Sequence, residues 1–187
     1  MKMLKTISGL TTIVGLFVLL TACAITNVYS GKKLIPETVQ VTKLNVVYVT
    51  PNFNTYNTAV GIALSRWKQF LPNLQAVTPN IFARNGVEAV VVDASVKLPD
   101  FRPLTLVVSM SSAVFQTGGA SEHLEFTLVD TLLHTKLWTA SGSMGSIAFG
   151  QFDEQAAKNL VSKIADRLTE DGLITRTVPI VGPSVSN

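Results

Sequence analysis

Cysteine is almost missing from this chain: Cys23 is the only one among 187 residues. No internal disulfide can form, and no cysteine-based metal site or catalytic thiol exists beyond that residue. Charge is scarce as well, with 15 basic and 12 acidic residues making up 14% of the chain, against about 25% in an average soluble domain. The longest basic run is Lys32-Lys33, which argues against nucleic acid as a partner. There is no Gly-x-Ser-x-Gly elbow, no phosphate-binding loop and no dinucleotide fingerprint. The stretch Gly142-Ser143-Met144-Gly145-Ser146 has the wrong spacing for a nucleophile elbow. Also missing is an unbroken apolar run of the ~20 residues that a membrane-spanning helix needs. What remains is a 47% hydrophobic chain of mean hydropathy +0.37, too apolar for disorder. Its length allows one domain.

The N-terminus carries the strongest signal. Lys2 and Lys5 precede an apolar stretch over residues 7–20, which ends in Leu20-Thr21-Ala22-Cys23. A short basic region, an apolar block and small residues in that order form a secretory signal peptide, here residues 1–22. The last four residues resemble the lipobox of bacterial membrane lipoproteins. That resemblance implies cleavage before Cys23 and a mature chain lipidated there with two or three acyl chains, palmitate among them. Two chains suffice for stable anchoring. Ala24, rather than Asp, resembles the pattern sorted to the outer membrane, and the expected location is that membrane, facing the periplasm. Loss of residues 1–22 removes Lys2 and Lys5 and takes the formal charge from +3 to +1. The pI near 9.1 is then no argument for an anionic partner.

Residues 23–42 are expected to be a lipidated tether; fully extended it could reach ~60 Å. Val39 and Val41 leave open a first strand that starts earlier. Residues 43–50, KLNVVYVT, are rich in β-branched side chains and read as a strand. Helical spacing follows over 58–71, closed by Pro72. Thr78-Pro79 suggests the start of a second, short helix, with Gly86 as its C-terminal cap. Residues 87–93, VEAVVVD, suggest a strand buried on both faces and central to a sheet. Further strands are expected over 104–110, 123–130 and 136–144, with a hairpin loop over 113–121 around Gly118-Gly119. Asp153 is a fitting N-cap for a last helix, with Ala156, Ala157, Leu160, Val161, Ile164, Ala165 and Leu168 as its apolar stripe. Asp171-Gly172-Leu173 fits a Schellman end. Residues 175–187, with Pro179 and Pro183, should form a loose tail. The order β-α-α-β-β-β-β-α predicts one α/β domain over 43–174, a two-layer sandwich. Its sheet should be mixed and mostly antiparallel, with the helices on one face.

Few residues point to chemistry. His123 and Glu125 share a strand face, and His134 in the next turn could complete a zinc site for a metal-dependent hydrolase. The plainer reading is two solvated histidines. Asp153/Glu154 and Glu170/Asp171 sit at helix ends, while Asp93 and Asp130 end strands where turns favour Asp. The stripe Trp67/Phe70/Leu71/Leu74 reads as core, with a partner groove or a lipid-binding surface as the alternative.

Leu128-Val129-Asp130 followed by Lys136-Leu137-Trp138 resembles an Asp-turn-Leu-Trp hairpin of small α/β envelope lipoproteins. The helix ending Leu168-Thr169-Glu170-Asp171-Gly172-Leu173-Ile174 is similar to their C-terminal element. The element order resembles the domains of the curli-secretion lipoprotein, of lipoprotein activators of penicillin-binding proteins, and of the N-terminal part of the Tol translocation protein. The turn departs from the pattern: His134-Thr135 stands where Thr-Gly is usual. The expectation is therefore a non-enzymatic accessory or assembly module, without cofactor or metal, that binds another envelope protein and could oligomerise. A periplasmic carrier of a lipid or small molecule is the alternative. A protein partner calls for an exposed apolar patch, and a carrier for an apolar cavity of roughly 300–1,000 Å³. The hydrolase needs its three side chains to converge.

Overall fold

The structure, a computed structural model, describes residues 25–29, 31–35, 39–51, 58–93, 102–116, 119–147 and 152–175. The signal peptide 1–22, Cys23 and the tail beyond Thr175 lie outside the described residues. In chain order the elements are β1 (Ile25–Val28), β2 (Lys32–Lys33), β3 (Lys43–Val49), α1 (Thr58–Arg84) and β4 (Glu88–Val91). They continue with β5 (Leu104–Gln116), β6 (Gly119–Asp130), β7 (Thr135–Ile147) and α2 (Glu154–Glu170). The strands form one sheet in the order β1-β7-β6-β5-β3-β4, with β2 also on β7. β3 runs parallel to β4 and β5; every other described pairing is antiparallel. This is the mixed, mostly antiparallel α/β sandwich that the sequence leads one to expect.

Strand alternation builds the core. Leu124, Phe126 and Leu128 of β6 face inward beside Leu106, Val108 and Met110 of β5. Phe70, Leu74 and Phe82 of α1 and Leu160, Ile164 and Leu168 of α2 cover them. On the opposite face, register aligns Val47, Val107, Thr127 and Thr139 in a half-exposed row. The helix ends match their sequence signals. Asp153 accepts from the Ala156 amide at 2.8 Å. At the other end of α2, Gly172 takes φ +70, and its N–H and that of Leu173 close on Thr169 and Leu168 carbonyls at 2.9 and 2.8 Å. Buried Leu173 packs with the apolar cluster that holds Leu168, completing the hydrophobic contact of a Schellman motif.

Four expectations need correction. First, residues 24–42 are not simply a tether. β1 pairs with β7 from Ile25↔Gly145 to Val28↔Gly142, and Lys32 and Lys33 pair with Thr139 and Trp138. Without them the outer edge of β7 would expose unpaired main-chain groups. Residues 39–42 do not extend β3, although Val41 is buried and its N–H donates to Leu173 at 2.8 Å.

Second, the two helices expected over 58–71 and 78–85 are one helix of 27 residues that runs through Pro72 and Pro79. Leu74, Val77, Ile81 and Phe82 continue the buried stripe of Ala63, Trp67 and Phe70. Burial at roughly 1.5–3 kcal/mol per side chain outweighs the ~3 kcal/mol that an interior proline costs. Thr78 is therefore no N-cap. It bonds back to the Leu74 carbonyl at 2.6 Å and meets the Tyr48 hydroxyl at 2.5 Å.

Third, β4 is an edge strand and not a central one, with Val90 37% exposed. Its valines reflect a short β-ladder against β3 under α1, not burial on both faces. Fourth, the hairpin strands outrun their expected ends: β5 continues to Gln116 and β6 begins at Gly119, through most of what was expected to be loop. A bulge at Ser111, where pairing shifts between Met110 and Ser112, lets the ladder continue.

Candidate functional site

Two polar centres adjoin the apolar core, one around buried Glu122 and one around half-buried Asp171. The first starts from strand parity. Glu122 is in phase with Leu124, Phe126 and Leu128, so β6 turns its carboxylate inward, where the residue is 1% exposed. Arg66 reaches it from α1, with Nε 3.3 Å from Oε1. The guanidinium also lies 4.4 Å over the Phe152 ring, a cation–π contact that steadies it. Phe152 packs on Phe70 at 4.9 Å, and Phe70 stands edge-on to Trp67 at 6.4 Å. Burial pushes the Glu122 pKa up, against the opposing pull of Arg66. Neither Glu122 oxygen accepts a hydrogen bond from a described residue, and the buried Trp67 Nε1 finds no acceptor among them. The crevice bounded by Trp67, Phe70, Glu122 and Met144 has no room for a water-sized molecule. It is a packed ion pair and not a cavity.

The second centre ties three chain segments together. The Trp138 indole N–H donates to Asp171 Oδ2 at 2.7 Å. Arg167 grips the same carboxylate with Nη2 2.6 Å from Oδ1 and Nε 3.2 Å from Oδ2, the forked geometry that strengthens such pairs. Burial alone would raise the Asp171 pKa; the Arg167 fork, the Trp138 donor and nearby Lys33 overcome it and hold the carboxyl below its ordinary value. Gly31 crosses directly over this pair. A Cβ there would collide with both the indole nitrogen and the carboxylate.

The residues considered for a metal site do not come together. His123 and Glu125 are exposed on one face of β6, but His134 ends the turn beyond Asp130. Seven strand positions from His123 to Asp130 span roughly 24 Å. Among the described residues, no group of three or more His, Cys, Asp or Glu side chains could hold a metal ion. The stripe Trp67/Phe70/Leu74 is core, and Leu71 is only half-buried. A groove of about 420 Å³ runs between the helices, lined by Ala76, Asn80 and Arg84 of α1 and Glu154, Lys158 and Ser162 of α2. Val77 and Ile81 also form its wall, and it is open to solvent, unlike an enclosed apolar chamber between sheet and helices.

Among the described residues the most exposed large apolar side chains stand in the β6–β7 turn. Asp130 Oδ1 accepts from the Leu132 and Leu133 amides at 2.8 and 3.0 Å, and the Thr131 hydroxyl donates to the Pro103 carbonyl at 2.8 Å. The turn closes with His134 at φ +51. Within this bonded frame Leu132 and Leu133 stand 57% and 72% exposed. Sequence reasoning found the turn but not its two leucines. Glu122 stands just before the strand expected from His123, and Arg66 lies off the apolar stripe of its helix, so neither is marked by the sequence pattern.

No protein-family model matches the chain, and no curated protein does. Among solved structures, a PelC dodecamer from Paraburkholderia phytofirmans is 15% identical with a TM-score of 0.44, covering 78% of this chain and 97% of that one. The lipoprotein GNA1162 from Neisseria meningitidis is 17% identical with a TM-score of 0.31, covering 69% of this chain and 99% of that one. Likenesses of this size carry no functional inference.

Proposed function

We propose that this chain is a bacterial envelope lipoprotein, anchored through acyl chains on Cys23 to the outer membrane and facing the periplasm. Its α/β domain acts as a non-enzymatic accessory or assembly module that binds another envelope protein. The observation that carries this reading is the ordered N-terminus: Lys2 and Lys5, the apolar block, then Leu20-Thr21-Ala22-Cys23. Among the described residues no helix is long and apolar enough to cross a membrane. The Leu132–Leu133 turn is the surface feature best suited to a protein partner, because its leucines are held outward by a rigid bonded frame. Substitution Cys23→Ala should move the protein from the membrane fraction to the soluble fraction. A photo-crosslinking side chain at position 133 should capture an envelope protein in intact cells, and the same side chain at Lys163 should not. Retention of Cys23→Ala with membranes would contradict the anchor. Equal capture from both positions would contradict the docking turn.

A further inference from the structure

The pairing of β1 fixes more than a sheet edge. Ile25 is opposite Gly145, and Gly145 is opposite Ser121. The first residue of β1 therefore lies at the end of the sheet that carries the β5–β6 hairpin, where Gln116 pairs with Gly119. Cys23 is two peptide units from Ile25, so their Cα atoms are at most ~7.6 Å apart. An anchor at Cys23 leaves almost no free chain between the lipid and the sheet. The domain cannot stand ~60 Å away as a free tether over 24–42 would allow.

The chemistry of the two sheet ends agrees with this geometry. Residues 25–28, 111–116, 119–121 and 141–147 contain no Lys, Arg, Asp or Glu. Val114 is 44% exposed there, and the carboxylate that follows, Glu122, is turned inward. Exposed Glu125 lies four residues further in, paired with Ser141, so headgroups that stop at the level of Ser121 and Gly145 desolvate no exposed ion of these strands. The opposite end holds Lys32, Lys33, Lys43, Glu88, Arg102, Asp130 and Lys136. From Ser121 to Asp130 the backbone of β6 runs roughly 30 Å, which carries Leu132 and Leu133 to that charged end.

We infer that the hairpin end of the sheet rests on the lipid surface and that the Leu132–Leu133 turn is presented at the far end, away from it. The inference builds on anchoring at Cys23 and adds the orientation that the anchor imposes. It is tested with the mature lipidated chain in vesicles of phosphatidylethanolamine and phosphatidylglycerol that contain a headgroup-labelled quencher lipid. Acylation occupies the thiol of Cys23, the only native cysteine, so Val114→Cys and Leu133→Cys each give one fluorophore site. Several-fold stronger quenching at position 114 than at 133 is expected. Equal quenching, stronger quenching at 133, or a position-114 label already shielded without vesicles by protein contact overturns the orientation. Ser112→Cys and Leu132→Cys make a second pair should either first variant fail to fold. Failure of the wild-type chain to float with the vesicles, with Cys23 unmodified, overturns the anchor and the orientation together. Flotation with equal quenching overturns the orientation alone.

Discussion

The indole N–H of Trp138 donates to Asp171 Oδ2 at 2.7 Å, joining the start of β7 to the residue that caps α2. The two lie in separate short motifs, Lys136-Leu137-Trp138 and Asp171-Gly172-Leu173, and the fold makes them one structural unit. Trp138→Phe removes the donor to a charged acceptor and also shrinks a fully buried indole to a phenyl ring, so a loss above the ~1.5–3 kcal/mol of the hydrogen bond alone is expected. Urea unfolding at neutral pH measures it.

The same carboxylate sets an acid limit. The Asp171 pKa is lower folded than unfolded. Its contribution is complete above the unfolded value of 3.8 and is lost as pH falls through the lower folded value. The stability gap between wild type and Asp171→Asn should be constant near neutrality and close below that value. Thermal melts across pH check this; a gap unchanged at acid pH would contradict it.

Glu122 has the opposite sign. Burial raises its folded pKa, so the native state binds its proton more tightly than the unfolded chain. This term makes wild type gain stability as pH falls from above the raised folded value toward 4.5, and Glu122→Gln lacks the gain. At neutral pH Arg66→Met leaves the buried carboxylate without its ion-pair partner, at an expected cost of about 3–5 kcal/mol. The double variant Arg66→Met with Glu122→Met should recover most of that loss. A double-mutant cycle with no coupling would refute the pair's role.

Gly31 is a matter of space. A methyl group at this position meets Trp138 and Asp171, so Gly31→Ala should lift the crossing segment off the sheet at about 1–3 kcal/mol. The sensitive readout is tryptic cleavage at Lys32 and Lys33, which pair with β7 in the intact fold. Cleavage should be faster in the variant; unchanged cleavage would mean the segment is not held there.

His134 takes a positive φ, +51, in the turn that presents the two leucines. The left-handed region costs an L-residue roughly 1–2 kcal/mol, and glycine adopts it freely at a smaller cost in unfolded-state entropy. His134→Gly should therefore stabilise the domain by about 0.5–1 kcal/mol, seen as a raised melting temperature.

Local physics was readable where one residue controls it. Asp153, Gly172 and the Leu124/Phe126/Leu128 alternation each act within a few residues and lie where their chemistry points. Pro72 misled because its local cost is outweighed by burial that only the sheet supplies. Ile25–Val28 looked like a tether because four residues followed by Gly31, Lys32 and Lys33 carry no period; their strand exists only because β7 has an edge to fill. The triple valine over 90–92 suggested a central strand, but apolar content alone does not separate burial on two faces from an edge covered by one helix. Arg66 and Glu122 meet across α1 and β6, a pairing no local pattern records. Extending the alternation two residues back from Leu124 puts Glu122 on the inward face.

Anchor and orientation both depend on Cys23 becoming the lipidated first residue of the mature chain. The most direct test is the intact mass of the protein extracted from membranes, with fragmentation of its N-terminal peptide. The expected result is a chain beginning at Cys23 with diacylglyceryl mass on that residue. A chain still beginning at Met1, or one beginning at Cys23 with a free thiol, would contradict the anchor and the orientation built upon it.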